Sequence, residues 1–288
     1  MTPTPSDRAR LLIDCPDRPG IVAAVSGFLA ARGANIVESA QHSTASGEGH
    51  FFMRMAFDLP TLETRIDRLR DEFAAEVATP FEMNWSVTPE SQPRPVAVLA
   101  SREPHCLLEL LWRADQGELG GTVPFVISNH PDHADTVEGM GIVYHHVPVT
   151  RETKPQAEAR LLELLRGQCD LVVLARYMQI LSGDFLGQIG LPIINIHHSF
   201  LPAFAGADPY QRAIERGVKI VGATAHYVTE ELDAGPIIEQ DVVRIDHTAD
   251  AAEARRLGAD VERVVLARAV RWHLADRVIA HEGSTVVF

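Results

Sequence analysis

Two different rhythms of apolar and polar positions run along the chain. In the first, "RARLLIDC" is an apolar run of strand length, broken by "PDRPG". "IVAAVSGFLAARG" then sets apolar residues at helical spacing and stops at Gly33, which suits the residue just past a helix end. "ANIVESAQHST" and "GHFFMRMAFDL" have strand patterns. "TLETRIDRLRDEFAAEV" predicts an amphipathic helix with Leu62, Ile66, Leu69 and Phe73 on one face. "PFEMNWSV" supplies a last strand, so the order β-α-β-β-α-β predicts a ferredoxin-like unit.

"VTPESQPRP", Val87 to Pro95, has three prolines and no apolar period, and reads as a linker. Beyond it the rhythm changes. "RPVAVLAS", "TVPFVISN", "IVYHHVPV", "DLVVLA" and "LPIINI" are apolar strands, with "CLLELLWRADQG" and "QAEARLLELLRGQ" helical among them. Repeated βα units predict a doubly wound, mostly parallel sheet covered on both faces. "VKIVGATAHYV" and "GPIIEQDVVRID" read as paired strands. "DAAEARRLGADVERVVLARAVRWHLADRV" reads as a long closing helix with a break near Gly258. The expected class is therefore α/β, with a unit over 1–86, a linker over 87–93 and a second unit over 94–288.

Composition narrows the function. Among 288 residues 46% are hydrophobic and 23% charged, as in ordinary globular chains. The net charge of -13 argues against nonspecific binding to nucleic acid or to an anionic membrane. No apolar run approaches the roughly 18–20 residues that span a bilayer. The start "MTPTPSDRAR" lacks an apolar signal core, so a cytoplasmic location is expected. Cys15, Cys106 and Cys169 are odd in number and far apart, which suits reduced thiols rather than a disulfide framework.

The candidate chemistry gathers in two stretches. "NIHHSFLPAF", Asn195 to Phe204, follows the strand "LPII", and the ligand crevice of an open α/β sheet lies at such strand ends. "TEELDAGPI", Thr229 to Ile237, follows another strand and holds Asp233 in a tight Ala-Gly-Pro turn. Asn195 and His197 are two apart, so on extended chain they project to one side and His198 to the other. An Asn amide can donate to an oxyanion, a histidine can shuttle a proton near neutral pH, and a carboxylate can orient the imidazole or a water. A plain hydrogen-bonded turn stays open for both stretches on these residues alone. Metal ligation is disfavoured: there is no HExxH, and the neighbours His145-His146 and His197-His198 diverge on extended chain. There is no GxSxG elbow to make Ser199 a nucleophile. In the first unit, the Pro-Gly turn of "DCPDRPGIVAAV" precedes a helix whose backbone NH groups can receive a small carboxylate, with a simple turn as the alternative.

Two resemblances sharpen this. "DRPGIVAAVSGFLAARGANI" resembles an ACT domain, a regulatory module that binds amino acids. The resemblance implies a ligand near Asp17, Pro19, Gly20 and Ile21, with Asn35 and Ile36 opening the next strand. It further implies glycine or methionine as candidate effectors, and a homodimer or homotetramer. "NIHHSFLPAFAGADPYQRAIERGVKIVGATAHYVTEELDAGPIIEQ" resembles the core of the folate-dependent formyltransferases, over residues 94–288. It implies Asn195, His197 and Asp233 as the catalytic trio. It implies folate contacts from Arg176, Tyr177, Met178, Gln179, Ile180 and Leu181, and from Glu230, Glu231 and Leu232, mainly through backbone groups. The resemblance implies 10-formyltetrahydrofolate as the substrate and no tightly bound cofactor or metal.

One departure selects the acceptor. Ribonucleotide-formylating members carry a glycine-rich phosphate loop after the first strand. Here "VLASREPHCLLEL" has no glycine, and Glu103 would oppose a phosphate. That leaves water as an acceptor needing no site of its own, and an ACT-like unit joined to a formyltransferase-like unit resembles the hydrolases of this family, which implies release of tetrahydrofolate and formate and a balancing of one-carbon pools for purine synthesis. Formyl transfer to a small amine, or a catalytically silent folate and amino-acid sensor, are the alternatives. Asp208 in "AGADPY" is an acid where the resemblance implies a basic or neutral residue, and facing the folate glutamate tail it would weaken binding.

Overall fold

In the computed structural model, which describes residues 7–45, 49–202 and 209–288, the first strand β1 (Arg8–Pro16) buries Ala9, Leu11, Ile13 and Cys15 on one face. It is followed by α1 (Ile21–Ala31), β2 (Asn35–Ser43), β3 (His50–Asp58), α2 (Leu62–Phe73) and β4 (Asn84–Pro89). The four strands form an antiparallel sheet in the order β2-β3-β1-β4. Both helices cover the face of β1 that carries Leu11 and Ile13, with Val25, Phe28, Leu69 and Phe73 in one core. Phe28 and Phe73 meet edge to face at 5.2 Å between ring centres. Gly20 starts α1 at φ +99, a left-handed conformation that a side chain would strain.

Two boundaries differ from the sequence pattern. The second helix ends in a π-helical turn, Ala74–Ala78. β4 runs on through Val87, Thr88 and Pro89, so the start of the expected linker is strand, held by pairing Leu11 with Val87 and Ala9 with Pro89. Proline is tolerated there because β4 is an edge strand. The sheet's second face carries Arg10, Asp14, Phe52 and Arg54, and the C-terminal segment Asp276–His281 belongs to this unit. Arg54 Nε donates to the Asp276 carbonyl at 2.8 Å, and Arg10 pairs with the Asp276 carboxylate at 3.2 Å.

The second unit begins with β5 (Pro95–Ala100), α3 (His105–Asp115), β6 (Thr122–Ser128), α4 (Ala134–Gly139), β7 (Val143–His146), α5 (Lys154–Leu165) and β8 (Leu171–Ala175). It continues through α6 (Gly183–Ile189), β9 (Ile193–His197), α7 (Pro209–Glu215), β10 (Ile220–Tyr227), β11 (Ile237–Arg244) and α8 (Ala251–Leu274). The sheet order is β11-β10-β9-β8-β5-β6-β7. Strands β9 to β7 run parallel, and β10 is antiparallel to both β9 and β11. β5 and β8 are buried along almost their whole length, as a sheet covered on both faces requires.

The short helices α4, α6 and α7 escape the sequence pattern, because six or seven residues do not complete two turns of apolar repeat. The expected break at Gly258 is absent: α8 is continuous over 24 residues. Gly258 serves packing instead, since a Cβ there would overlap the ring and hydroxyl of Tyr210. The chain also does not end on this helix. It stops at Leu274, and two short strands follow, β12 (Val278–His281) and β13 (Ser284–Val287). No helix among the described residues is long and apolar enough to cross a membrane. Asp208, with its expected effect on a folate tail, lies outside the described residues.

Candidate active site

Strand alternation and one antiparallel pairing build the site. Asn195 and His197 share a side of β9, and β10 sets His226 opposite Asn195 and Thr224 opposite His197. Paired residues of an antiparallel ladder project to the same face, so four polar side chains meet there. Asn195 Nδ2 lies 3.2 Å from His226 Nε2, and His226 Nδ1 lies 2.9 Å from the Tyr227 carbonyl. The carbonyl can only accept a hydrogen bond, which places the His226 proton on Nδ1 and leaves Nε2 to accept from the Asn195 amide. The second Asn195 N–H is then left to donate elsewhere. The pairing of β10 with β11 slips between Ala225 and His226, a bulge of the kind that re-aims side chains beside sites.

Asp233 reaches this face from the loop after β10. Its Oδ2 is 3.2 Å from His197 Nδ1, and its Oδ1 is 3.8 Å from His226 Nε2. The hydrogen bond from His197 holds the Asp233 carboxyl below the ordinary carboxylate range, helped by the neighbouring imidazoles and opposed by burial. His197 is 6% exposed, and its Nε2 is buried with no hydrogen-bond partner among the described residues. Burial lowers the pKa of His226, which keeps that ring neutral. Asp233 holds a left-handed φ of 57, unusual for a residue with a side chain. Gly235 makes that turn fit: a Cβ on it would overlap the Tyr227 carbonyl oxygen. Gly235→Ala is therefore expected to displace Asp233 and lower kcat about 10²-fold, the cost of a misplacement on the order of 1 Å. Steady-state kinetics beside a melting curve checks it, and unchanged kcat would remove Gly235 from the argument.

Beside these groups lies a cavity of about 390 Å³. Arg176, Tyr177, Met178, Gln179, Ile180 and Leu181 line one part of it, and Glu230, Glu231, Leu232 and Asp233 another. Met178, Ile180 and Leu232 are 58%, 62% and 62% exposed, an open apolar rim of the kind that marks a ligand groove. The first wall is anchored from below: Ser101 Oγ accepts from Met178 N at 3.0 Å, and Glu158 receives Ser182 N at 2.9 Å and its hydroxyl at 2.5 Å.

His198 overturns the alternation argument. It lines the same cavity as His197, and the two rings stack with centres 5.2 Å apart. β9 ends at His197, so the two-residue period no longer governs the next residue. Burial, reinforced by the Arg176 cation, pushes the pKa of His198 down to about 4.

Several contributors are not in the sequence reading. Thr224 Oγ1 donates to the Ser199 carbonyl at 2.9 Å and accepts from Leu201 N at 3.0 Å, fixing the loop after β9. Glu262 of α8 is 2% exposed and accepts from Tyr210 at 2.6 Å and His105 at 2.9 Å, with Arg176 at 3.4 Å. Burial opposes ionisation of Glu262, but these partners outweigh it and its pKa is lowered. The one signal for Thr224 and His226 is a pair of polar residues two apart in the apolar strand "GATAHYV".

In the first unit the expected amino-acid residues do not converge within the chain. Asp17 accepts from Ser43 Oγ at 2.6 Å, and Pro19, Gly20 and the buried Ile21 lead into α1 beyond the Pro16 end of β1. Asn35 pairs with Asp58, which also faces Arg8, so Asn35 and Ile36 sit at the other end of the sheet. The nine residues of β1 between them span roughly 26 Å.

Two family profiles match the chain, Formyl transferase over residues 94–270 and ACT domain over residues 9–74. A formyltetrahydrofolate deformylase of Mycobacterium bovis is 58% identical over 98% of this chain and 91% of its own length. One of Bacillus subtilis is 50% identical over 98% of this chain and 94% of its own. The crystal structure of a formyltetrahydrofolate deformylase from Pseudomonas syringae superposes with a TM-score of 0.93 at 50% identity, covering 98% of this chain and 94% of that one.

Proposed function

The chain belongs to the formyltetrahydrofolate deformylases of the formyl transferase family, and we propose that Asn195, His197 and Asp233 carry its reaction. That reaction is hydrolysis of 10-formyltetrahydrofolate to tetrahydrofolate and formate. Asp233 orients the attacking water and takes up its proton through the Asp233–His197 pair. The hydroxyl adds to the formyl carbon, and the tetrahedral oxyanion receives the free N–H of Asn195 and the Nε2–H of protonated His197. On collapse the C–N10 bond breaks, His197 gives its proton to N10, and the formic acid released loses its own proton to solvent as formate. The observation that supports these roles most directly is the 3.2 Å contact of His197 Nδ1 with Asp233, on a ring whose Nε2 is buried without a partner among the described residues. The walls from Arg176 to Leu181 and from Glu230 to Leu232 are proposed to take the pterin between them. Their open apolar rim suits a flat ring.

The ACT unit is proposed to sense an amino acid, with glycine and methionine as first candidates and the turn Asp17 to Ile21 as the site for its carboxylate. Asn35 and Ile36 are left out of that pocket within one chain. A homodimer or homotetramer is proposed as well, because β2 is an edge strand whose free backbone groups invite pairing. A cytoplasmic location fits a folate substrate.

The test is a turnover assay with purified protein and 10-formyltetrahydrofolate, without any amine. One formate per tetrahydrofolate is expected. Formyl transfer to an added small amine in place of formate release would favour the transferase alternative, and folate binding without turnover would favour a silent sensor. The same assay with glycine or methionine added is expected to change the rate, and no response to either would remove the effector reading.

A further inference from the structure

Three donors stand together in the first unit. Asp14 of β1, His50 of β3 and His281 of β12 each offer one atom, and these atoms lie within 4.8 Å of one another. We propose that they form a binding site for a divalent first-row transition-metal ion, with zinc as the ion to try first. Two histidines and one carboxylate are a donor set such ions accept, with positions left for water.

The sheet register brings them together. Asp14 lies opposite Phe52 in the antiparallel pairing of β1 and β3, so His50 is its diagonal neighbour on the same face. His281 comes from the C-terminal segment, and its ring lies 4.0 Å from His50 and 5.2 Å from Phe52 between centres. The carboxylate is already oriented: Asp14 Oδ1 accepts from Asn84 Nδ2 at 3.0 Å, and Oδ2 faces His50 Nε2 at 3.0 Å. Such support of a ligating carboxylate by an outer partner is typical of metal sites. All three residues are part-buried, which leaves an entry path while limiting competition from bulk water.

Donors about 2.0–2.2 Å from one ion stand about 3.4 Å apart, so a pair now up to 4.8 Å apart closes by at most about 1.4 Å. Phe52 lies tilted against the His50 ring and edge to face with the His281 ring, with centres 5.0 and 5.2 Å away. Metal entry replaces the Asp14–His50 hydrogen bond: the His50 proton moves to the nitrogen away from the ion, and Asp14 Oδ2 turns to the ion.

A second triplet, His105, Cys106 and Glu262, is comparably close but unsuited to a cation. Glu262 already accepts from Tyr210 and His105, and the Arg176 guanidinium stands 3.4 Å from it. Burial holds the Cys106 thiol well above its ordinary pKa, so it stays protonated and is no thiolate ligand.

The test titrates zinc and cobalt(II) into the chelator-treated full chain. One ion per chain is expected, with a cobalt visible spectrum of nitrogen and oxygen ligation and a raised melting temperature. His281→Ala and Asp14→Asn are expected to abolish that site, and Asn84→Ala to weaken it about 10- to 100-fold. Retained turnover of 10-formyltetrahydrofolate reports that each variant is folded, and His281→Gln serves if His281→Ala is not. Equal affinity in the His281 and Asp14 variants would overturn the proposal. So would a thiolate-to-cobalt charge-transfer band that Cys106→Ser removes.

Discussion

Asp233→Asn is expected to lower kcat about 10²–10⁴-fold, with a much smaller effect on KM. The substitution keeps the size of the side chain and its place on the cavity wall, so substrate binding is largely spared. It removes two things. The first is the charge, which the His197 hydrogen bond stabilises and which the lowered pKa keeps present even in mild acid. An amide takes up no proton from water and does not stabilise the His197 cation that the oxyanion needs. The second is the tautomer. Asp233 Oδ2 accepts from His197 Nδ1 across 3.2 Å, leaving Nε2 for the substrate. An asparagine can turn its NH2 toward Nδ1 and force the proton onto Nε2, the wrong state for accepting one there. Formate release under saturating substrate, with a melting curve, decides the matter. Near-native kcat in a variant that melts like the parent would sink the assignment.

The parts of the site that could be read in the sequence are those that depend on local geometry. The two-residue period puts Asn195 and His197 on one side of a strand and the Ala-Gly-Pro turn marks Asp233, but only the resemblance to the folate-dependent formyltransferases singles the three out as a trio. The same period misplaced His198, because the strand stops one residue earlier. His226 was out of reach for a different reason. Its place beside Asn195 depends on β10 running antiparallel to β9 in one register, and a slip of one residue would turn it to the other face. Glu262 reads as an ordinary polar position on a long helix, and only the packing of Tyr210, His105 and Arg176 around it makes it a buried anchor. Gly258 looks like a break because glycine has low helix propensity, yet tertiary packing against Tyr210 overrides that preference. In the first unit the element order was legible from periodicity. The separation of Asn35 from the Asp17–Gly20 turn was not, since it needs the strand directions.

His197→Gln is expected to cost about as much as Asp233→Asn, on the order of 10²–10⁴-fold in kcat. Glutamine can still hydrogen-bond but carries neither a cation to the oxyanion nor a proton to N10. The stronger measurement is the double variant. If the two residues act as one proton-handling unit, removing both costs little more than removing the worse one alone. Separate roles would instead multiply the two losses. The neighbouring histidines do not blur this comparison. His226 is kept neutral by burial, with its Nε2 committed to Asn195. His198 stacks 5.2 Å from His197, but its pKa is pushed down to about 4, so near neutral pH it supplies no replacement cation. Residual turnover in His197→Gln should therefore be the same when His198 is also changed to glutamine. It then reflects what Asn195 and substrate binding contribute without a proton donor. A further large drop in that second double variant would mean that His198 hands over the proton, and the trio would have to be redrawn around it.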